Sequence, residues 1–384
     1  MPTPQIALSS LALPADGPHL RQPPRPVDLR GPNYAARFDA TTLFYDVYRA
    51  GAHVVLQGPP FLNLQALLAQ SAPLAGALAG WWPRARIRPR FKAGEIWWRN
   101  GPDHFTLSGP LGTHAIAVQP DGAALFAGRR VIHTLSKDND IAWIIDWARF
   151  YQRHHGADAV LLYDNGSSAY DAAELEETLA TACPQMLVRV VSWSFPYGPQ
   201  GGLAAGIPGI EAPWDSDFCQ TGSMQHARHR FLRHARSVLN ADIDELVLGP
   251  AGQSIFAAAE ASRAGFVKFA GRWISAARPD AAAHTPPRHG HFLWQDSEEA
   301  ETCPPKWCLV PRPWAHRRCS WSVHNLFGAR ANRRISPAFT YRHFKGISTS
   351  WKYDRQESTP FTPARFTPDD TLAAALAAAD LIPG

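Results

Sequence analysis

Short runs of alternating apolar and polar residues dominate the chain from about residue 50 to residue 128. Turn-forming residues separate these runs, as at Asn100-Gly101-Pro102. Alternation bounded by turns is typical of antiparallel hairpins. The runs are HVVLQG, EIWW, FTLSG, HAIAVQ and ALFAG. We therefore predict a small β-rich module over residues 50–128, preceded by an extended, Pro-rich tail over residues 1–49.

The rhythm changes after residue 128, where apolar strands alternate with helices. Strands are predicted at 129–137 and 157–168, and QMLVRVVSW and SVLNADIDELVL follow as the third and fourth strands. The helix before the fourth strand is the basic segment DFCQTGSMQHARHRFLRHA. Regular alternation of strand and helix predicts an α/β domain with a mostly parallel sheet flanked by helices. The predicted domain spans residues 129–355, and residues 356–384 form a C-terminal tail with a helix.

Composition and charge narrow the choice of partners. The 384-residue chain is 45% hydrophobic, so it can bury a large core. Its formal net charge of +5 is compatible with a polyanionic partner, and a phosphate-bearing small molecule explains it as well as nucleic acid does. Positive residues surround most of the basic helix instead of forming one stripe. We therefore expect a solvated helix beside the sheet, and no nucleic-acid partner.

Cysteine usage and hydropathy bear on the compartment. The cysteine count is 5, an odd number, and no convincing secretory signal begins the chain, which predicts reduced thiols and a cytoplasmic location. The longest apolar stretch, residues 64–82, is interrupted by Gln70, Ser71 and Pro73. We therefore predict no transmembrane segment, while peripheral membrane association stays open.

The triplet Asp242-Ile243-Asp244 is the leading candidate for chemistry. Strand periodicity predicts that the two carboxylates share one face while Ile243 packs into the opposite layer. Such hard oxygen ligands suit Mg²⁺ or Mn²⁺, which can bridge the oxygens of a diphosphate. A solvated strand end is the alternative, but the flanking apolar runs predict burial, which favours a metal. The similar triplets at 138–140 and 215–217 precede helices, where capping explains them.

A second polar cluster, Asp164-Asn165-Gly166-Ser167, follows the second predicted strand. Ligands of parallel α/β sheets bind at the carboxyl ends of the strands. We therefore expect this turn and the acidic triplet to face the same crevice.

These segments together resemble the catalytic domain of metal-dependent glycosyltransferases with the GT-A fold, of the family 2-like and family 92-like kinds. The resemblance covers roughly residues 129–355. It rests on the DNGS turn and the DIDE strand in that order, with KWCLVP, SVHNLFG and YRHFKGISTSWKYDR after them. The β module resembles the N-terminal part of bacterial relatives. The resemblance implies a Rossmann-like GT-A sheet, a nucleotide-diphosphate sugar donor, bound Mg²⁺ or Mn²⁺, and an acceptor hydroxyl on a glycan, lipid or polysaccharide.

The resemblance also implies roles for individual residues. Asp164 and Asn165 would lie beside the base and ribose of the donor. Asp242 and Asp244 would hold the metal on the diphosphate. Glu245 belongs to the same motif, and its contact with the metal, with the donor sugar or only with a neighbouring arginine stays open.

The C-terminal loops supply the remaining binding candidates. His324 or His343 would give a further metal or phosphate contact, with a structural role as the alternative for each. Lys352 and Arg355 are candidates for contacts with the diphosphate, unless they belong to a solvated basic loop. Lys306 is a weaker candidate than either.

An inverting transfer also needs a carboxylate that accepts the proton of the acceptor hydroxyl. Asp280, Asp296, Glu298 and Glu299 lie in the appropriate half of the chain. The resemblance matches none of them to a motif, so the choice among them stays open, with residues 296–299 preferred.

Two other function classes compete with a glycosyltransferase. A metal-dependent phosphatase or phosphotransferase could use an aspartyl nucleophile, but its pattern wants Thr or Val where Leu246 stands, on a strand that comes first in the domain. A non-catalytic carbohydrate-binding protein could stack its Trp-rich loops on sugar faces. The complete acidic motif argues against that second alternative.

Overall fold

The computed structural model describes residues 4–90, 92–199, 215–279, 286–299, 301–312, 319–349 and 360–382. Within these residues a four-stranded sheet near the N-terminus accompanies a mixed sheet of eight strands. No helix among them is long and apolar enough to cross a bilayer. The fold is therefore of the α/β class with a β-rich N-terminal module.

The N-terminal module is built on antiparallel strands. The strands are β1 (Leu11–Ala12), β2 (Thr42–Phe44), β3 (Asp46–Ala50), β4 (His53–Gly58), β5 (Ala85–Arg90), β6 (Ala93–Arg99), β7 (His104–Gly109) and β8 (Gly112–Ala117). The helices are α1 (Tyr34–Arg37), α2 (Leu64–Gln70) and α3 (Leu74–Leu78). The four-stranded sheet has the order β3-β4-β6-β5, and β7 pairs with β8 as a separate hairpin. Alternate side chains of β4 and β6, such as Val54 and Ile96, are buried in its core, as the alternating pattern predicts.

Two boundaries of this module differ from the prediction. The sheet already begins with β3, which lies inside the predicted tail of residues 1–49 and pairs with β4. The predicted strand ALFAG is wrong, because residues 123–128 form consecutive turns. Only Phe126 of that run is buried, and Gly128 adopts a left-handed φ of 74° that ends the run.

The eight-stranded sheet combines a parallel half with a mixed half. The strands after residue 129 are β9 (Arg130–Ser136), β10 (Ala159–Asp164), β11 (Leu187–Ser192), β12 (Ser237–Asn240), β13 (Glu245–Leu248), β14 (Phe266–Ile274), β15 (Trp294–Asp296), β16 (Cys303–Leu309), β17 (Ser320–Trp321), β18 (Leu326–Phe327), β19 (Thr340–Phe344) and β20 (Phe366–Pro368). The order in the sheet is β11-β10-β9-β12-β16-β14-β19-β13. β9 to β12 run parallel, whereas β16 is antiparallel to both neighbours.

Helices cover this sheet, and one apolar core lies on each face. The helices are α4 (Ile141–His155), α5 (Ala172–Ala182), α6 (Phe218–His226), α7 (Ile255–Ala261) and α8 (Asp370–Ala378). The Asp140 side chain caps α4 by accepting a hydrogen bond from the Ala142 N–H at 2.8 Å, as predicted. Gly156 ends α4 with a left-handed φ of 69°. Ile144 and Trp147 pack in the core that contains Ile132 of β9, and burial of each stabilises the fold by roughly 1.5–3 kcal/mol.

The prediction of a solvated basic helix is wrong. Residues 218–231 are all buried: α6 is followed by a π-helical turn (Ala227–Phe231) and a short 3-10 turn (Leu232–His234). Met224, Ala227 and Phe231 pack against the sheet. The other side of the segment faces the N-terminal module, since Gln57 of β4 donates a hydrogen bond to the Gly222 carbonyl at 2.8 Å. The segment therefore forms a layer between the module and the sheet.

Acidic residues of the N-terminal module stabilise the buried basic segment. Asp46 accepts hydrogen bonds from His226 Nε2 at 2.8 Å and from Arg230 at 2.7 Å. Tyr163 of β10 lies 2.7 Å from His226 Nδ1 on the opposite side of the ring. Glu95 of β6 lies 3.2 Å from His229 Nε2. Buried charges need such partners, and here the partners come from a distant part of the sequence.

Candidate active site at the acidic turn

The acidic triplet lies in a turn between two strands. SVLNADIDELVL was predicted as one strand, but β12 ends at Asn240 and β13 begins at Glu245. β12 pairs with β9 and β16, whereas β13 pairs with β19 at the edge of the sheet. The turn closes when the Glu245 N–H donates to the Asp242 carbonyl at 3.1 Å. Ile243 is buried in the core, and this separates Asp242 from Asp244 on the turn.

Lys306 of β16 occupies the space beside Asp242 and Glu245. Its Nζ atom lies 2.8 Å from Asp242 Oδ2 and 3.0 Å from Glu245 Oε2. The Asp242 N–H also donates to Glu245 Oε2 at 2.9 Å. The side chains of Lys306 and Glu245 are 1% and 2% exposed, so their ion pair is shielded from solvent, whereas Asp242 is 31% exposed. Two of the three acids in the turn are thereby tied to a fixed positive charge.

Burial shapes the ionisation of this group. Burial raises the pKa of Glu245 to about 7, against the attraction of the Lys306 ammonium and with the repulsion of Asp242 in support. Burial opposes a charge on Lys306 too, but the Asp242 and Glu245 carboxylates outweigh it and raise the pKa of the lysine above its usual value. Lys306 therefore stays charged at neutral pH, and Glu245 titrates within the physiological range.

Asp244 faces a different partner. Its Oδ2 atom lies 3.0 Å from Nε2 of His343 on β19. The Trp273 ring of β14 stacks on the His343 ring with the centroids 4.1 Å apart, which fixes the plane of the imidazole. Ligand atoms of Asp244, Glu245 and His343 all lie within 4.8 Å of one another.

This group of three residues fits a divalent cation. Two carboxylates and one imidazole form a mixed oxygen and nitrogen ligand set, which Mn²⁺ accepts more readily than Mg²⁺ does. When Glu245 is ionised, the three carboxylates of the turn exceed the Lys306 ammonium by two negative charges, which a divalent cation would balance. The acids that converge on the candidate metal site are thus Asp244 and Glu245. Glu245 also shares the Lys306 ammonium with Asp242, which lies outside the converging group.

His324 lies near this group but turns one nitrogen to the backbone. Its Nδ1 atom is 3.2 Å from the carbonyl oxygen of Pro305. Burial, with the repulsion of the Lys306 ammonium, lowers the pKa of His324 to about 4. The imidazole is therefore neutral at pH 7, the form that can bind a metal.

Asp164 and Asn165 lie at the carboxyl end of β10, on the same edge as the carboxyl end of β12. β9 separates the two strands, so their ends are about 10 Å apart at ordinary strand spacing. Asp164 accepts hydrogen bonds from the Ser167 N–H at 3.2 Å and the Ser167 hydroxyl at 2.5 Å. Burial nevertheless raises the pKa of Asp164.

The Asn165 amide group serves the protein itself. Its Nδ2 atom donates to the carbonyls of Trp193 and Phe195 at 2.8 and 2.9 Å. These bonds hold the turn after β10 against the segment after β11. The Asn165 side chain thus shapes the crevice through its backbone contacts.

The three preferred base candidates all have cationic partners. Arg365 pairs with Asp296 at 2.6 Å and with Glu298 at 2.8 Å, and its hydrogen bond lowers the pKa of Asp296. Glu299 pairs with Lys345, whose ammonium lies 5.3 Å from the centre of the Trp273 ring. Glu299 is thus linked through Lys345 and Trp273 to His343. Asp280, Lys352 and Arg355 lie outside the described residues.

Lys306 is more important to this site than its sequence pattern predicts. It follows two prolines and has no other charged neighbour in CPPKWCL, so its local pattern indicates an irregular loop. The one available signal is a lone lysine within an otherwise apolar run. Only the pairing of β16 with β12 and β14 places it beside the acidic turn.

Comparison with known proteins gives weak likenesses only. No family model matches the chain, and no curated protein matches it. Among solved structures, the apo structure of WbbM, a bifunctional glycosyltransferase, is similar at 14% identity and a TM-score of 0.26, over 43% of this chain and 26% of that one. An active-site mutant of LgtC is similar at 17% identity and a TM-score of 0.22, over 38% of this chain and 46% of that one. The chain thus spans less than half the length of either structure, and scores this low carry no functional argument.

Proposed function

We propose that this protein is a metal-dependent glycosyltransferase that moves a sugar from a nucleotide-diphosphate sugar to a hydroxyl of a glycan, lipid or polysaccharide. The observation that carries the proposal is the convergence of Asp244, Glu245 and His343 within 4.8 Å. It occurs next to the carboxyl end of β12, the edge of a parallel sheet where ligands bind. The resemblance of the DNGS and DIDE segments to GT-A enzymes supports the same assignment.

The acidic turn would bind the diphosphate side of the donor. Asp244, Glu245 and His343 would hold Mn²⁺ or Mg²⁺, which would act as a Lewis acid on the departing diphosphate. Lys306 contributes a fixed positive charge beside them, and its ion pairs at 2.8 and 3.0 Å keep Asp242 and Glu245 in place. Asp242 is therefore assigned a positioning role.

The turn after β10 would bind the nucleoside side of the donor. The Asp164 carboxylate has acceptor capacity beyond its two bonds to Ser167, and it can accept a hydrogen bond from a ribose hydroxyl. Asn165 would position this turn through its bonds to Trp193 and Phe195. The distance of about 10 Å between the strand ends suits a nucleoside joined to a diphosphate.

Glu299 is our candidate for the base that accepts the proton of the acceptor hydroxyl. Its lysine partner lies against Trp273, the ring that stacks on His343. Asp296 and Glu298 instead share Arg365. The hydrogen bond from Arg365 lowers the pKa of Asp296, which makes Asp296 a weaker base.

A panel of nucleotide-diphosphate sugars tests the proposal. The full chain is freed of metal with a chelator and assayed for donor hydrolysis with and without added Mn²⁺. We expect hydrolysis of at least one donor that depends on the cation and is lost in Asp244→Asn. Hydrolysis that is unchanged when the cation is removed, or that is unchanged in Asp244→Asn, would contradict the proposal.

A further inference from the structure

A cavity of about 890 Å³ opens at the beginning of β14. Two segments, residues 262–268 and 330–336, contribute its described walls, and none of its lining residues belongs to the acidic turn. Its volume is within the usual range for small-molecule sites. Part of the wall is apolar and comes from Phe266, Val267 and Ile335.

Positive charge dominates the polar part of this cavity. The lining contains five cationic side chains and, among the described residues, no carboxylate. The cationic residues are Arg263, Lys268, Arg330, Arg333 and Arg334. The four arginines are exposed, so their guanidinium groups can meet a ligand from solvent.

Among the described residues, these four arginines lack the carboxylate partners that many other arginines of the protein have. Arg25 is paired with Asp215, Arg130 with Glu260 and Arg288 with Asp146. In the part of the chain that the structure describes, the four lining arginines form no ion pair with a carboxylate. No carboxylate among the described residues therefore neutralises the positive charge of this cavity, and the cavity would attract an anionic ligand.

Lys268 gives the cavity a buried cationic residue. The residue is 7% exposed. Its ammonium donates to Asn325 Oδ1 at 2.6 Å and lies 3.4 Å from the Asn332 carbonyl oxygen. Both acceptors are neutral, so the lysine charge is solvated by dipoles and is not cancelled. Burial lowers the pKa of Lys268 accordingly.

We propose that this cavity is a binding site for an anionic, phosphate-bearing ligand. Arginine forks match phosphate oxygens in a bidentate manner, and Lys268 adds a charge from the wall. The apolar surface of Phe266 and Val267 would contact the uncharged part of the ligand. The phosphate can belong to a soluble molecule or to a lipid headgroup. This inference does not depend on glycosyl transfer at the acidic turn.

The test measures binding directly on the full chain. Inorganic pyrophosphate is titrated by calorimetry in the presence of a chelator, so that no divalent cation can recruit it to the acidic turn. In parallel, the protein is sedimented with phosphatidylglycerol vesicles and with phosphatidylcholine vesicles. The cavity variant is Arg333→Ala/Arg334→Ala. Its matched control is Arg84→Ala/Arg86→Ala, which removes the same charge from two exposed arginines elsewhere.

We expect the cavity variant to lose at least about tenfold in affinity, as two charge-assisted contacts disappear, while the control stays close to wild type. Loss of pyrophosphate binding in the cavity variant would show that a soluble phosphate compound is sufficient to occupy the cavity. Loss confined to the phosphatidylglycerol vesicles identifies the headgroup. Equal losses in the two double variants, or no binding of either probe by wild type, would overturn the proposal. Arg330→Ala/Arg333→Ala replaces the cavity variant if its melting temperature falls.

Discussion

The ammonium of Lys306 lies 2.8 Å from a carboxylate oxygen of Asp242. This contact places a positive charge inside an acidic turn whose sequence alone indicates two metal-binding aspartates. It divides the turn into Asp242, which is neutralised by the protein, and Asp244, which faces His343. Glu245 lies between the two and contacts the lysine at 3.0 Å.

Removing the lysine charge should destabilise the fold. Lys306→Met leaves two buried or half-buried carboxylates without their partner, and we expect a loss of about 3–5 kcal/mol in the free energy of unfolding. Urea denaturation monitored by tryptophan fluorescence measures this. Lys345→Met is the control, since its partner Glu299 lies in a more open ion pair and the expected loss is about 0–1 kcal/mol. Similar losses in both variants would refute a special role of Lys306.

The two aspartates should differ in metal binding. We expect Asp244→Asn to weaken Mn²⁺ binding at least tenfold, roughly the least that loss of a direct ligand should cost, because Asp244 belongs to the converging set. Asp242→Asn should have a smaller effect, since Asp242 lies outside the converging set. Calorimetry or electron paramagnetic resonance with Mn²⁺ provides the measurement. If Asp242→Asn is the more damaging change, our choice of ligands is wrong.

Glu299→Gln tests the proposed base. A general base commonly contributes about 10²–10⁴-fold to the rate, so kcat for transfer should fall by that order while KM for the donor changes little. Glu298→Gln is a matched control, because Glu298 is two-thirds exposed and pairs with Arg365. A normal kcat in Glu299→Gln would remove Glu299 from the reaction.

The contact between the module and the buried basic segment should be essential for stability. Asp46→Asn removes the counter-charge of the buried Arg230, and we expect a loss of about 3–5 kcal/mol. Asp103→Asn makes the same chemical change in the same module, but Asp103 is 73% exposed in its pair with Arg49, and the expected loss is about 0–1 kcal/mol. Thermal and urea denaturation of both variants compare them directly.

His155 should make the protein sensitive to acid. Its Nε2–H donates to the Val247 carbonyl at 2.7 Å, and its Nδ1 accepts from the Ile255 N–H at 3.2 Å. The bond from Ile255 requires the neutral ring, because a protonated Nδ1 cannot accept it. Burial lowers the pKa of His155 to about 3. Since the unfolded chain binds the proton near pH 6.5, stability is complete above that pH and falls as the pH decreases.

The loss from His155 at pH 5 is about 2 kcal/mol. His155→Gln retains a donor and an acceptor without a titrating group. We expect the melting temperature of this variant to fall less than that of wild type between pH 7 and pH 5. Parallel pH profiles of the two proteins would show that His155 does not titrate on unfolding.

Local sequence patterns correctly predicted those strands and helices that pack against elements close to them in the sequence. β9, α4 and β10 follow one another in chain order, and the Asp140 cap of α4 depends on a contact with Ala142, two residues away. β16 was missed because its prolines and lysine indicate a loop. Its place beside β12 and β14 depends on strand pairing across 32 residues or more, as between Gly271 and Cys303.

The basic segment shows that local sequence also fails to predict whether charged residues are buried. Seven arginine and histidine residues between 226 and 236 indicate a solvated helix when read locally. The acids that allow its burial are Asp46 and Glu95, at sequence separations of 180 and 134 residues. No short stretch of the sequence contains both residues of either contact.

Those separations also set an order of events during synthesis. The N-terminal module leaves the ribosome first, with Asp46 and Glu95 already part of its strands. Their partners His226 and His229 are made only after well over a hundred further residues. N-terminal domains usually fold first during synthesis. This module, however, keeps two acids and an apolar face uncovered until the basic segment has been made. The packing of this module is therefore completed by a late step that joins distant parts of the sequence.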